Sequence, residues 1–301
     1  WAYLHHSIAG IRFLLLDAHK GLELQTARAT AKFTLVAGLV LTAGGACAAP
    51  DWSKVPVTAI HVFHPGATPF QWIQSKGKHG GSRGLARGES CAGCHVEGGE
   101  INVDLERIAK ELEPAGAPKV RSYPVQVQAA YDANQLYVRL RFKAPDGGFD
   151  HSDKDNALKA TLLFPDAQVP LANQVGCWAS CHEDARTMPG AKESKSKYVT
   201  SGGYDLMQWS SNGQVSDGRI TDQRRMQGGG ANVKAEGSFG PEGWTITFSR
   251  KLAGATPMVS GQPVNFGLAI HADHAGGRFH HVSFGHTIGL DGEGDVKAQK
   301  F

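Results

Sequence analysis

The sequence lacks an excess of charge of either sign. It has 31 Lys and Arg residues against 28 Asp and Glu residues, a formal net charge of +3, and its basic residues are scattered along the chain. A nucleic-acid-binding protein typically gathers its basic residues into a patch or stripe on one face. The balance therefore argues against nucleic acid as a partner.

Cysteine is also scarce, with 5 residues in 301, so this chain is not a small disulfide-dense scaffold. At this length it can form two domains and bury a core without disulfide staples. What the chain does have is 38 glycines and 14 histidines. Four of the five cysteines form two close pairs, and each pair is followed directly by a histidine.

Long apolar runs are nearly absent, and the one exception is the uncharged stretch from Phe33 to Ala49. Its length is at the short end of the about 17–25 residues that a membrane-spanning helix needs. We predict a retained membrane helix, with Arg28 and Lys32 on the cytoplasmic side. The alternative is a cleaved signal peptide that ends in Ala46-Cys47-Ala48. Both interpretations export everything after Pro50.

The first 44 residues contain the pattern His6-x3-Gly10-Ile-Arg12, followed by Asp17 and a final apolar helix. This segment resembles the cytochrome b membrane subunit of succinate dehydrogenase. The resemblance implies that His6 binds haem b and that the last helix leads outward to a periplasmic domain. The alternative for His6 is packing against a neighbouring helix. The chain departs from the family at Phe13, where the family has a second histidine.

The first cysteine pair is Cys91-Ala-Gly-Cys94-His95, a C-x-x-C-H motif. In such a motif two thiols attach covalently to haem, and the adjacent imidazole reaches the iron. A thioredoxin-like redox pair would need a βαβ setting and a nucleophilic cysteine at a helix start, but the flanks here indicate a loop. A zinc site would need two further ligands. We predict haem c on both cysteines, with His95 as an axial ligand.

The second pair, Cys177-Trp-Ala-Ser-Cys181-His182, carries one extra residue between the thiols. Next to the first motif it predicts a second haem c, with His182 as an axial ligand. The alternative is a local disulfide between Cys177 and Cys181 in an oxidising compartment. That alternative assigns no role to His182.

Each haem needs a second axial ligand from elsewhere in the chain. For the first we predict His79, which lies in a Gly-flanked loop twelve residues before Cys91. For the second, the candidates are Met188 and the five histidines between His271 and His286. Strand alternation places His281 on one face and His280 on the other, and we rank His281 first. The alternative for each candidate is an ordinary packed or solvated side chain.

Short alternating segments predict that the exported part is mainly β. The predicted strands are 125–129, 136–142, 160–164, 244–248 and 264–271, and a short helix is predicted over 101–112. Residues 190–240 contain few apolar side chains and predict long loops around the second haem. The predicted domains are a membrane segment over 1–50, a first haem segment over 51–120 and a β domain over 121–301.

Three segments carry a second resemblance: Tyr131–Tyr137, Gly176–His182 with Met188-Pro189, and Gly277–Ser283. They resemble the haem-binding domain shared by the ethylbenzene dehydrogenase γ subunit and cytochrome c-552-like proteins. The resemblance implies an immunoglobulin-like or DOMON-like β-sandwich that transfers electrons beside a membrane or a molybdenum enzyme. The γ subunit binds haem b through Met and Lys, and Met188 is the position that carries over.

Together these features predict a dihaem cytochrome c of the bacterial inner membrane, with its haem domain facing the periplasm. It would pass electrons between the quinone pool, or a haem b partner, and a periplasmic redox protein. The alternatives are a haem-dependent reductase and a haem-based sensor, each with one open iron position. For the reductase, Arg224, Arg225 and the C-terminal histidines could serve as basic or acid groups.

Overall fold

The protein is described by a computed structural model covering residues 2–19, 23–45, 49–64, 79–97, 100–102, 122–143, 157–169, 171–174, 176, 202–221, 224–272 and 280–301. Four residues of the predicted second haem site lie outside this part of the chain, namely Cys177, Cys181, His182 and Met188. The chain forms two compact units, Trp1–Ala49 and Pro50–Phe301. The predicted boundary near residue 120 stays a prediction.

The first unit is a pair of helices, α1 (Ala2–Asp17) and α2 (Leu24–Gly45). Arg12 joins them, since its guanidinium donates to Thr30 Oγ1 at 3.2 Å and to the Ala27 carbonyl at 3.3 Å. Neither helix, as far as its residues are described, combines the length and apolar content that crossing a membrane requires. His6 is exposed, and its ring meets the edge of the His5 ring at 5.9 Å.

The second unit is mainly β, as the alternating pattern predicts. Its described part includes two short helices, α3 (Ser82–Ala86) and α4 (Cys91–His95). Its strands are β1 (Thr58–Phe63), β2 (Val96–Glu97), β3 (Glu100–Ile101), β4 (Ser122–Tyr131), β5 (Gln135–Phe142), β6 (Leu158–Pro165), β7 (Tyr204–Ser210), β8 (Val215–Ile220), β9 (Arg224–Arg225), β10 (Lys234–Gly240), β11 (Gly243–Lys251), β12 (Val264–Ala272), β13 (His281–Val282), β14 (His286–Leu290) and β15 (Val296–Lys300).

Thirteen of these strands form one large sheet in the order β10-β11-β5-β4-β1-β13-β12-β6-β7-β8-β9, with β14 and β15 attached at β12 and β4. Nearly all pairings are antiparallel, and the two parallel ones involve β15. The sheet curves, so that strands near its two ends meet. Gly237 of β10 lies directly against the Trp209 ring of β7. One apolar core fills the enclosed space.

Alternation along the strands gives the sheet two different faces. We call the face towards the enclosed core the inner face; it carries Val62 of β1 and Leu268 and Ile270 of β12. The opposite face, which we call the outer face, carries a smaller apolar cluster. Its buried members are Phe63, Leu85, Ala269, Val282 and Phe284, with Cys91, Ala92, Ile101 and Leu171 packed against them. The first cysteine motif therefore packs on the outer face.

Two of the predicted elements differ from the structure where it describes them. The helix predicted over 101–112 does not begin at Ile101, because that residue belongs to β3, and residues 103–112 lie outside the described part. The loops predicted over 190–240 contain β7, β8, β9 and β10 from residue 204 onward. The apolar content is low there because β8 and β10 contain few apolar residues and because β7 buries polar side chains next to its apolar ones. Gln208, for example, donates to Thr161 Oγ1 at 2.8 Å.

One ion pair lies inside the enclosed core. Arg250 of β11 and Asp205 of β7 approach to 3.0 Å, and both side chains are fully buried. The Arg250 guanidinium also donates to the Thr256 carbonyl at 2.9 Å and lies 5.0 Å from the Phe164 ring centroid. The pair thus ties β7 to β11 across the core.

Candidate functional site

The first cysteine motif forms a single helical turn, α4, that Ser90 caps. The Ser90 hydroxyl accepts from the Gly93 backbone N–H at 3.1 Å, while the Ser90 backbone is extended. This is the usual way in which a serine starts a helix. The turn brings Cys91, Cys94 and His95 to one cleft. Both cysteines are free thiols, with Cys91 half-buried and Cys94 exposed.

The imidazole of His95 is fixed from behind by a hairpin. Strands β2 and β3 return the chain so that His95 Nδ1 lies 3.0 Å from the Asn102 carbonyl oxygen. A carbonyl can only accept, so Nδ1 carries the proton in this contact and Nε2 is left as the basic nitrogen. Metal-binding histidines are commonly held in this way, since the bond at one nitrogen sets the tautomer and the ring orientation.

His79 lies opposite His95 across the cleft. Its predicted role as the second ligand stays a prediction. The two ring centroids are 6.1 Å apart, and the ring planes differ by 26°. The His79 ring is so close to Gly81 that a Cβ at Gly81 would be 2.9 Å from its Cε1 atom. Glycine at this position therefore makes room for the ring. A Cβ at the neighbouring Gly80 would meet nothing within 4 Å.

The cleft between these histidines is open to solvent, spans about 300 Å³ when that open space is included, and is lined by His79, Gly81, Leu85, Glu89, Ser90, Cys91, Cys94 and His95. Phe284 lies behind it, with its ring 6.3 Å from the His95 ring and 4.8 Å from the Phe63 ring. The Phe284 ring is inclined by 26° to the His95 ring. The outer face thus supplies an apolar wall on the His95 side of the cleft.

Burial sets the electrostatics of the first thiol. It raises the pKa of Cys91 to about 11, with a smaller contribution from the neighbouring Cys94 thiol. The Glu89 carboxylate lies 3.9 Å from Cys94 Sγ and pairs with Arg87 at 2.8 Å. Cys91 is therefore a neutral thiol at pH 7 in the folded chain. It is not an activated thiolate of the kind that a redox-active C-x-x-C pair needs.

The residues of this cleft fit a haem. Two imidazoles that bind one metal from opposite sides have ring centroids roughly 6 Å apart, given metal–nitrogen bonds of about 2.0–2.1 Å. The His79–His95 separation of 6.1 Å equals this spacing. Both thiols lie on the His95 side of the cleft, on the same turn as the imidazole. A bond at Nδ1 of His95 leaves Nε2 for the iron.

The C-terminal histidines separate into two groups on the two faces. On the inner face, His281 is buried, with its ring 4.9 Å from Tyr123 and 5.9 Å from His64. On the outer face, the rings of His271 and His280 stack at 4.9 Å and 25°. The predicted alternation between His280 and His281 is present. The outer face, which carries the first motif, is the one that holds His280.

Sequence reasoning missed several residues that build the cleft, among them Leu85, Phe284 and the Asn102 carbonyl. It also missed His64, which is buried and whose Nδ1 lies 3.2 Å from the His280 carbonyl oxygen. The position of Phe284 could have been found, because the alternation that separates His280 from His281 continues through Val282 and Phe284. His64 carries no comparable signal, since it follows the last residue of β1.

Family comparisons agree with the two parts of the chain. The family described as ethylbenzene dehydrogenase matches residues 49–229. The family described as succinate dehydrogenase/fumarate reductase transmembrane subunit matches residues 1–45. A carbohydrate-binding module of family 9 from Caldicellulosiruptor kristjanssonii covers 56% of this chain and 68% of its own, with 12% identity and a TM-score of 0.29, too low to identify a fold.

Two curated relatives match nearly the whole chain. Cytochrome c-552 of Stutzerimonas stutzeri is 44% identical over 273 residues, which is 86% of this chain and 94% of that protein. Cytochrome c-551 of Rhodocyclus tenuis is 44% identical over 258 residues, 84% of this chain and 100% of that protein. This chain therefore belongs to the ethylbenzene dehydrogenase family and is a cytochrome-like member of it, similar to cytochromes c-552 and c-551.

Proposed function

We propose that this protein is a dihaem cytochrome c that carries single electrons. The observation that supports the proposal best is the pairing of His79 with His95 at 6.1 Å across a cleft that also contains Cys91 and Cys94. The 44% identity to two cytochromes over most of the chain points the same way. When bound, haem supplies the one-electron chemistry, and the protein supplies its attachment, ligands and burial.

In this proposal each residue of the first site has one task. Cys91 and Cys94 would hold the haem covalently, and His95 would bind its iron through Nε2 while the Asn102 carbonyl accepts from Nδ1. His79 would be the further ligand, which would keep small molecules from the iron. Leu85 and Phe284 exclude water, which lets the protein set the reduction potential through burial and ligand identity.

The second haem would be attached at Cys177 and Cys181, with His182 as its first ligand. Its second ligand is His281 or Met188 on sequence grounds. The two-faced arrangement favours His280 instead, because His280 is on the outer face together with the first motif, whereas His281 lies between Tyr123 and His64 on the inner face. We therefore add His280 to the candidates and place it first.

The position of His79 favours an electron carrier over the two alternatives. A reductase or a sensor needs an iron with one open position, and in the first cleft His79 stands where that position would be. Arg225 lies on β9 with an exposed side chain, beyond β7 and β8 in the strand order. No described contact brings it to the cleft.

The N-terminal unit supports a proposal about where the protein acts in the cell. The match of residues 1–45 to a transmembrane subunit supports membrane association, and export of the haem unit follows from the charge of the flanking residues. We propose a bacterial inner-membrane location, with the haem domain in the periplasm. The proposed partners are a quinol-oxidising or haem b subunit and a periplasmic acceptor. We also propose that His6 binds a haem b. We propose further that the haem domain is an immunoglobulin-like or DOMON-like sandwich.

Mass spectrometry and carbon monoxide binding test the proposal on protein matured with a haem-attachment system. We expect two covalent haem additions and no carbon monoxide binding in the wild type. His79→Ala should open one iron to carbon monoxide, whereas His79→Met, which keeps a ligand, should not. A single haem addition would refute the dihaem assignment. Unchanged low-spin spectra in His79→Ala would refute the role of His79.

A further inference from the structure

Two arginines lie next to each other on the outer face of β5. Arg139 and Arg141 alternate with Val138 and Leu140 of the apolar core, so their side chains point away from that core. Among the described residues, no carboxylate forms an ion pair with either guanidinium. The Nε atom of each is buried and has no hydrogen-bond acceptor in the same part of the chain. Two cationic groups therefore lie side by side without a counter-charge.

The Trp52 ring fixes the first of these arginines. The Arg139 guanidinium lies 5.2 Å from the centroid of that ring. Gln128, which pairs with Arg139 in the sheet, is buried, and its amide donates to the Trp52 and Val55 carbonyls, both at 2.8 Å. Gln128 therefore holds residues 52–55 over the outer face. Stacking against a ring leaves the N–H edge of a guanidinium available, and that edge matches the oxygens of a carboxylate or a phosphate group.

The surroundings of Arg139 disfavour its positive charge. Burial lowers the pKa of Arg139, and the charge of Arg141 lowers it further. Glu236 is in register with Arg139 on the same face, but β11 separates the two strands, which puts it roughly 10 Å away. Lys54 and Asp51 add no net charge nearby, because they pair with each other at 3.0 Å. A bound anion would offset both of the effects that act on Arg139.

The position of Trp52 in the chain favours a lipid surface as the source of that anion. The N-terminal unit ends at Ala49, so Trp52 follows it by three residues. Residues 1–45 match a transmembrane subunit. Tryptophan is enriched where a protein crosses the membrane–water interface, and basic residues just outside a membrane segment attract anionic headgroups. The exposed Val57 adds apolar area close to the same turn. An acidic protein would have no reason to bind at this point of the chain.

We infer that Trp52, Arg139 and Arg141 form a docking surface for anionic phospholipid, which holds the second unit against the membrane. The inference rests on the proposed membrane location. The two guanidinium groups donate to the phosphate oxygens of the headgroups, and charge-assisted bonds of this kind are the stronger ones. The Trp52 ring lies at headgroup level. Docking restricts the orientations of the second unit and so presents it in one way to partners within the membrane.

Hydrogen–deuterium exchange of the full, haem-matured chain in lipid nanodiscs tests this surface. The readout is the peptide over 51–57, which contains Trp52. Adding phosphatidylglycerol to phosphatidylcholine nanodiscs should slow its exchange, by about fivefold for each arginine and about 30-fold for both. The exposed turn at 212–214 is the internal reference and should not change. The double variant Arg139→Gln, Arg141→Gln should lose the effect. Arg219→Gln, which removes one positive charge from β8, should keep it.

Association with the nanodiscs separates the possible failures. A chain that associates with neither lipid refutes the proposed membrane location, and the docking surface with it. Association with equal exchange at 51–57 in both lipids refutes the docking surface alone and leaves the arginines to an acidic protein. Equal slowing by inorganic phosphate in phosphatidylcholine nanodiscs would mean a site for free phosphate instead. If the double variant does not fold, Arg141→Gln alone replaces it, with an expected loss of about fivefold.

Discussion

The two faces of the sheet at β12 and β13 are built from adjacent residues but have different composition. The inner face continues the apolar core through Leu268 and Ile270. The outer face carries Ala269 and Val282, and beyond them the stacked rings of His271 and His280. The inner face therefore stabilises the fold, and the outer face presents groups that can bind a cofactor. The alternation of side chains along a strand keeps these two tasks apart.

Among the described residues, the inner face buries charge as an ion pair, whereas the outer face leaves polar groups beside an open cleft. Asp205 and Arg250 are both fully buried and approach each other to 3.0 Å. Glu89, in contrast, is exposed at the rim of the cleft and shares its carboxylate between Arg87 and the neighbourhood of Cys94. Substitutions on the inner face should therefore change stability, and those at the cleft should change spectra and potentials.

The largest effect is expected from breaking the buried pair. Asp205→Asn leaves the Arg250 guanidinium buried without a counter-charge, which should lower the free energy of unfolding by about 3–5 kcal/mol. Chemical denaturation measures this loss. The haem spectrum of the folded variant should match the wild type.

A partly exposed pair provides the control for that prediction. Arg219 and Asp166 approach to 3.4 Å near the surface, so Arg219→Gln should cost only about 0–1 kcal/mol. Equal losses in Asp205→Asn and Arg219→Gln would contradict the view that burial makes the inner pair indispensable. A changed haem spectrum in Asp205→Asn would contradict the separation of the two faces.

The next effect distinguishes His280 from His281 as the ligand of the second haem. His280→Ala should convert one haem to a form that binds carbon monoxide, because the outer face loses a ligand. His281→Ala should leave both haems low-spin and lower the thermal unfolding midpoint, because it opens a space next to Tyr123 in the core. Carbon monoxide difference spectra and thermal unfolding of both variants measure the contrast. The reverse pattern would identify His281 as the ligand of the second haem. Low-spin spectra in both variants would favour Met188.

A smaller change is expected from the glycine beside the distal ligand. Gly81→Ala adds a Cβ at 2.9 Å from His79 Cε1, so the imidazole must move. We expect a weakened bond to the iron, seen as a partial high-spin signal in the absorption spectrum of the ferric protein. Gly80→Ala is the matched control, because its Cβ meets nothing within 4 Å. Identical spectra of the two variants would mean that His79 does not hold the iron.

The smallest effect concerns pH. Burial lowers the pKa of His286 below its usual value, while the nearby Asp295 partly offsets this. The unfolded chain therefore binds a proton more readily than the folded one, and stability should fall as pH drops through the ordinary histidine pKa towards the lowered one. Unfolding free energies between pH 7.5 and 5 measure the slope, about 6.5 being its midpoint on the unfolded side. In His286→Gln the part of the slope that comes from His286 should vanish. A slope equal to that of the wild type would show that His286 does not contribute to the pH dependence of stability.

The sequence predicts the regular parts of the fold because side-chain alternation is a local signal. The strands around Val125, Leu140, Leu162, Phe248 and Leu268 appear where the pattern puts them. The β7 strand was missed because Asp205 and Gln208 interrupt its apolar pattern, although both are buried beside partners distant in sequence, Arg250 and Thr161. Low apolar content is evidence for a loop only where such partners are absent, and a single sequence does not reveal them.

The first site could be predicted in its chemistry but not in its walls. Cys91, Cys94 and His95 are recognisable because covalent attachment needs them at a fixed spacing, and His79 lies near enough in sequence to be inferred. Phe284 reaches the cleft only through the folded sheet. Its role depends on register, which the alternation of one strand cannot fix.

The position of Phe284 in the chain has a consequence for how the protein is made. Phe284 follows His95 by 189 residues, which a ribosome needs roughly 10–40 s to add at about 5–20 residues per second. Throughout this interval Cys91 lacks the Phe284 side of the apolar cluster against which it packs, and this burial has not yet raised the pKa of its free thiol. The newly synthesised motif is therefore more reactive before its own cleft exists, and β13 packs beside it only after this interval.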